Sequence, residues 1–175
     1  KDGTQRLWQF NLDGTEPKLL IENILQVGYH GWINKDTVAL FILGEFFTLQ
    51  VYNINTGKLD IVEKNIGRCL KKIPNKNALS FLHKVSDKKW VIKEFNLDSF
   101  KVSEIISTLP KSEDFAWTPE GTLIMGNKSK LFKYNPSKDK NWSEIADLKN
   151  EGITDILRID INSESNKIAI VSSKE

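Results

Sequence analysis

A repeat with a period near 42 residues constrains this chain more than any other feature. An aromatic residue followed by asparagine closes an extended run at Phe10-Asn11, Tyr52-Asn53, Phe95-Asn96 and Tyr134-Asn135, so the asparagines lie 42, 43 and 39 residues apart. A second landmark, Trp32-Ile33-Asn34-Lys35-Asp36, lines up with Ile73-Pro74-Asn75-Lys76-Asn77. It also lines up with Trp117-Thr118-Pro119-Glu120-Gly121 and Ile161-Asn162-Ser163-Glu164-Ser165, at spacings of 41, 44 and 44. Two independent landmarks with one period mean copies of one supersecondary unit.

The unit is built of strands. Arg6 to Leu12 alternates apolar and polar residues, the period-2 pattern of a half-buried strand. Asp13-Gly14 then supplies a hairpin turn, and Lys18 to Ile21 resumes the strand. The same order recurs at residues 48–62, around Asn55-Thr56-Gly57, and at residues 90–105, around Asp98-Ser99. No apolar stripe at helical spacing lasts three turns; residues 146–149 can hold at most a short helical turn. Four strands in about 40–45 residues is the signature of a β-propeller blade. A single blade cannot bury both faces, and stacking blades around an axis does so. Trp32 and Trp117 are therefore expected between adjacent blades. The repeated asparagine is expected to cap the turn after the third strand through its side-chain amide.

Trp117-Thr118-Pro119-Glu120-Gly121 resembles the Trp-Ser-Pro-Asp-Gly turn of TolB-like, WD-repeat-like propellers. Asp2 to Gly14 resembles the hairpin of the same family, in which an Asp-Gly-Asn-type turn leads into a strand ending Asn-Leu-Asp-Gly. The turns at Ile73 to Asn77 and Ile161 to Asn166 depart from that pattern. The resemblance implies six blades and an exported or periplasmic protein of the kind found in Bacteroidota.

The expected fold is thus all-β: a propeller of four-stranded antiparallel blades. Residues 1–26 supply a half blade, 27–67, 68–110 and 111–152 three blades, and 153–175 a second half blade, about four blade equivalents in all. Two arrangements are open. The chain can close as four blades, with Ile168 to Val171 clasped beside Arg6 to Phe10. Or it is part of a six-bladed propeller, favoured by a start in mid-turn at residues 1–4 with no initiator Met. In that case two blade faces need further blades, a partner or a second copy to cover them.

Composition excludes several functions. Twenty-five Lys and Arg against 23 Asp and Glu leave a formal charge of +2, too small a surplus for a dedicated nucleic-acid binder. The apolar run Val38 to Leu43 is far shorter than the roughly 18 residues of a membrane-spanning helix. One cysteine, Cys69, precludes an internal disulfide, and two histidines make a His-rich metal site improbable; no cofactor is expected. Cys69 follows Arg68, which would favour a thiolate, yet a buried inert thiol is the expectation. No Gly-x-Ser-x-Gly motif is present, and Glu113-Asp114 are strand neighbours that point to opposite faces, poorly placed to share a proton. Asn127-Lys128-Ser129 and Asn141-Trp142-Ser143 are formal glycosylation sequons, and Lys71-Lys72 and Lys88-Lys89 read as solvated turns.

Residues just before the innermost strand of each blade approach the channel mouth. Three positions before the second landmark lie Tyr29, Leu70, Asp114 and Arg158; four before it lie Gly28, Cys69, Glu113 and Leu157. The expected rim is Tyr29, His30, Arg68, Glu113, Asp114, Asp155 and Arg158. Either it receives a peptide or protein segment, or it is a solvated funnel in which charges such as Asp114 and Arg158 pair with each other. The functional expectation is a non-catalytic module that binds a protein or peptide through this loop face. The alternative is a propeller hydrolase or lyase, or the propeller domain of a larger peptidase, with His30 and His83 its only support.

Overall fold

The computed structural model describes residues 3–173. Lys1 and Asp2, half of the turn expected at residues 1–4, lie outside the described residues, as do residues 174 and 175. β1 (Trp8–Gln9) and β2 (Lys18–Leu19) form a two-stranded hairpin. Blade I contains β3 (Val27–Trp32), β4 (Thr37–Ile42), β5 (Thr48–Asn53) and β6 (Leu59–Lys64). Blade II contains β7 (Ile66–Lys72), β8 (Ala78–Ser86), β9 (Lys89–Asn96) and β10 (Lys101–Ser107). Blade III contains β11 (Phe115–Trp117), β12 (Leu123–Asn127), β13 (Lys130–Tyr134) and β14 (Ser143–Asp147). β15 (Ile156–Ile161) and β16 (Ile168–Ser172) form a last hairpin. All strand pairs are antiparallel, and strands lie in chain order within each sheet. A single 3-10 turn at Lys149–Glu151 follows β14, slightly later than the turn expected at residues 146–149.

The core is four seams, one at each junction between neighbouring sheets. β4 and β8 show why. Val38 and Leu40 face the first hairpin, packed with Leu7 and Ile21, while Ala39 and Phe41 face blade II, packed with Leu79 and Phe81. On β8, Leu79 and Phe81 face blade I and Leu82 faces blade III, against Phe115 and Met125. Both faces of these strands are buried, so they read as nearly continuous apolar runs rather than clean alternation. Gly126 permits the last seam: a Cβ there would collide with Ile156 of β15.

Three of the four repeated asparagines cap as expected. The Asn53 Oδ1 accepts from the Asn55 and Thr56 N–H groups, that of Asn96 from Ser99, and that of Asn135 from Ser137. Asn11 instead donates its side-chain amide to the Thr15 hydroxyl, and Asp13 caps that turn by accepting from the Thr15 N–H at 2.9 Å.

Three expectations need correction. Sheet pairing places Trp32 opposite Val38, Lys72 opposite Leu79, Trp117 opposite Leu123 and Ile161 opposite Ile168. Lys72, not Ile73, is therefore the equivalent of the two tryptophans, and the sequence alignment slips by one residue there; the buried Ile33 is the partner of Ile73. Trp117 does span a seam: its indole N–H donates to the buried Ser80 hydroxyl of blade II at 2.7 Å. Trp32 does not, and is 38% exposed. Its counterpart of Ser80 would lie on the second strand of the preceding sheet, which among the described residues consists of β1 and β2 alone. The four-blade clasp is also absent among the described residues: β16 pairs with β15, β1 with β2, and no pairing joins the two hairpins.

Candidate functional site: the channel mouth

The hairpins at residues 43–47, 87–88 and 128–129 lie at one end of the blades with the inter-sheet connections, and the landmark turns lie at the other. The inner strands β3, β7, β11 and β15 surround the channel. Sheet register makes Tyr29, Cys69, Asp114 and Arg158 equivalent, because each stands three residues before the corrected landmark. Leu70 is thus not the equivalent of Tyr29; it packs in the seam between blades I and II and from there borders the cavity at the mouth. The one-residue slip gave it the place in the series that belongs to Cys69.

Cys69 and Asp114 both reach toward the following sheet. The Cys69 thiol donates to the Phe115 carbonyl at 3.4 Å and accepts from the Phe115 N–H at 3.5 Å. The Asp114 carboxylate accepts from the Ile159 N–H at 2.9 Å, in the same relation one blade later. Both side chains seal a seam between inner strands. Burial pushes the Cys69 thiol far up from its ordinary value, with the Asp114 charge acting the same way, which disfavours the thiolate. Burial also raises Asp114; the bond from Ile159 and the charges of Lys71, Arg158 and Arg68 pull the other way.

Tyr29 and Arg158 stand at the two ends of this series and meet across the channel. Arg158 donates to the Tyr29 hydroxyl at 3.1 Å, and its guanidinium lies 5.4 Å from the Tyr29 ring centroid. Asp114 is not its partner. A cavity of about 270 Å³ lies here, and Tyr29, His30, Arg68, Asp114 and Arg158 all line it. Lys71 and Asp160 line it too, joined by an ion pair at 3.1 Å. The sequence reading missed both; Lys71 is on β7 and not in a solvated turn, and inward alternation from Cys69 is the signal that would have found it.

Glu113 and Asp155 fall elsewhere. With Arg68 they line a second cavity of about 420 Å³ on the loop end, between blade III and the last hairpin. Glu113 accepts from the Arg68 N–H at 3.0 Å and pairs with Lys84 at 3.3 Å. Gly67 allows this approach, since a Cβ there would stand 2.7 Å from the Glu113 Oε1. Arg68 lines both cavities and donates from Nη2 to the Leu157 carbonyl at 3.4 Å. His83 lies apart from His30, its Nδ1 3.8 Å from Glu63. Among the described residues, no three His, Cys, Asp or Glu side chains come together where they could hold a metal ion.

No protein-family model matches the chain, and no curated protein matches its sequence. Its shape is similar to that of many solved structures. A chain of a nidogen/laminin complex superposes with a TM-score of 0.72 at 11% identity, covering 95% of this chain and 64% of that one. TolB from Acinetobacter baumannii gives 0.69 at 14% identity, covering 97% and 43%. An oligogalacturonate lyase in complex with manganese gives 0.63 at 15% identity, covering 81% and 42%. The chain spans less than two thirds of each of these. Radial four-stranded sheets, seams between them and this likeness agree: the chain has a TolB-like β-propeller fold.

Proposed function

We propose that the chain is a non-catalytic binding module whose channel mouth receives an extended peptide or a segment of a protein. The observation that supports this best is the cavity between Tyr29, Arg68 and Arg158, which joins an aromatic ring, charged groups and the apolar side chains of Ala169 and Val171 in one recess. Such a recess offers apolar and polar contacts together, as an extended peptide requires. The seven rim residues divide in this reading: Tyr29, His30, Arg68 and Arg158 contact ligand, Asp114 holds the wall, and Glu113 and Asp155 border the adjoining cavity. The buried thiol at Cys69 and the placement of His83 outside the cavity that His30 lines lend the hydrolase or lyase alternative no support from these residues. We further read the open arc as part of a larger propeller, because among the described residues the inner edge of β1 and the outer edge of β16 carry no pairing strand, and the chain covers 43% of TolB. An exported location follows from the resemblance, and no helix among the described residues is long and apolar enough to cross a membrane.

The test is panning of a random hexapeptide library against the protein, with affinities of the enriched peptides measured by fluorescence anisotropy. Binders should appear, and Arg158→Glu should weaken them at least about tenfold, roughly 1.4 kcal/mol, with little change in melting temperature. An absence of binders, or binders indifferent to Arg158→Glu, would sink the reading. Turnover of a peptide or oligosaccharide by the purified protein would replace it with the enzymatic one.

A further inference from the structure

The acids and the cations at this mouth are used very differently. Three of the acids are committed to the fold. Asp114 holds the Ile159 N–H, Glu113 holds the Arg68 N–H and pairs with Lys84, and Asp160 accepts from Lys71 and from the Ile161 N–H. Lys71 is matched by the same pair. The two guanidinium groups make no contact ion pair: among the described residues no carboxylate lies within 4.0 Å of Arg68 or Arg158, and Asp114 acts on both only at longer range. Arg158 meets a neutral phenol. The Arg68 side chain makes one hydrogen bond, a long one to a neutral carbonyl, and its Nε is buried without a partner. A guanidinium carries five donors, and buried polar groups are rarely left unmet in folded proteins.

The two arginines are also close neighbours. Arg68 donates to the carbonyl of Leu157, the residue before Arg158, and both side chains line the 270 Å³ cavity. Counting that cavity's lining, Arg68, Lys71 and Arg158 face Asp114 and Asp160, a surplus of one positive charge. Like charges held together in a recess favour an anion between them, and the planar forks of arginine suit a carboxylate.

We propose that the channel mouth is a carboxylate-binding site, in which Arg68 and Arg158 together hold an Asp or Glu side chain, or the free C-terminus, of a bound peptide. This deepens the peptide-binding reading and rests on it. The Tyr29 hydroxyl occupies Arg158 while the site is empty and yields it to the stronger acceptor.

The experiment uses two synthetic hexapeptide libraries: one carrying Asp and Glu with free C-termini, the other lacking both acids and ending in amides. Binders should come from the first library. Replacing the acid of each binder by Asn, Gln or a C-terminal amide should weaken it at least tenfold. Arg68→Gln and Arg158→Gln should each do the same with melting temperature held within a few degrees, and Tyr29→Phe should leave affinity equal or tighter. Acid-free peptides that bind as well as acidic ones would overturn the carboxylate site while leaving the peptide-binding module intact. So would acidic binders insensitive to both glutamine variants, since the two arginines would then not hold the acid. Trigalacturonate is the third probe. If it binds through the two arginines and no acidic peptide does, the peptide occupant is overturned and the carboxylate belongs to a sugar acid.

Discussion

Trp117 and Trp32 occupy one position in two blades and have different surroundings. Trp117 reaches over a closed seam to Ser80 of the blade before it. Trp32 faces the hairpin of β1 and β2, and stays exposed. The same contrast separates the seams of blades I to III from the outer hairpins. Phe81, Phe95 and Phe115 are fully buried in the seams, whereas Trp8 is 49% and Val171 57% exposed. A blade position therefore has no fixed burial. Its environment comes from the neighbouring sheet, the dependence expected when stability is shared between adjacent repeats.

The largest expected effect is at the seam between blades I and II. Phe81→Ala should cost about 3–5 kcal/mol in urea unfolding, as truncation of a core aromatic does. Trp8→Ala in the first hairpin should change stability by no more than about 0.5 kcal/mol, as surface substitutions do. Equal losses would erase the distinction between seam and edge.

Asp114 sharpens the comparison at the inner strands. Asp114→Ala leaves the Ile159 N–H without its acceptor and should cost about 1–3 kcal/mol. Asp114→Asn keeps an acceptor and removes a charge that burial disfavours, so its stability at neutral pH should match or exceed that of the wild type. The sign follows from the raised carboxyl: the folded state binds the proton more readily, so this group favours folding at low pH. That contribution is lost as pH rises from its ordinary value through the raised one. A large loss in Asp114→Asn would mean that the charge itself holds the seam.

The paired tryptophans provide a smaller effect. Trp117→Phe removes the bond to Ser80 and should cost about 1 kcal/mol, while Trp32→Phe should be neutral to within about 0.5 kcal/mol. A double-mutant cycle of Trp117→Phe with Ser80→Ala should recover most of that cost as coupling between the two sites. Independent effects would show that the indole contributes packing alone.

The smallest effect is a pH dependence within blade II. Burial depresses the His83 imidazole below its ordinary value, Lys93 adds to this, and Glu63 opposes it. The unfolded chain therefore binds the proton first. Stability contributed by neutral His83 is complete above about pH 6.5 and falls as pH drops toward the lower folded value. Melting temperatures from pH 7.5 to 5 should decline, and His83→Gln should flatten that slope. An unchanged slope would show that His83 does not titrate with folding.

Period, strand order and hairpin turns were legible because each depends on residues close in sequence. The capping asparagines sit beside the turns they close, and the double-sided apolar runs on β4 and β8 mark strands buried on both faces. The channel mouth was legible only in part. Tyr29, His30, Arg68, Asp114 and Arg158 do line one cavity, and Leu70 borders it, but a one-residue slip gave Leu70 the place in the series that belongs to Cys69, and Lys71 was left out. The landmark turn runs from Ile73 to Ala78 in blade II and from Ile33 to Thr37 in blade I, so one extra residue shifts every side chain before it to the other face.

What the sequence determined by itself was the repeated unit: strands of alternating or doubly apolar pattern, tight turns closed by asparagine and glycine, and a period that demands stacking. Local backbone preference and side-chain periodicity suffice for that. The tertiary structure alone decided what each equivalent position does. Tyr29, Cys69, Asp114 and Arg158 share one place in the repeat, yet the thiol and the carboxylate each seal a seam, while phenol and guanidinium meet across the channel. The reason is physical. A side chain's partner on an inner strand belongs to another blade, about 45 or 129 residues away, and no local pattern encodes which groups that blade will present.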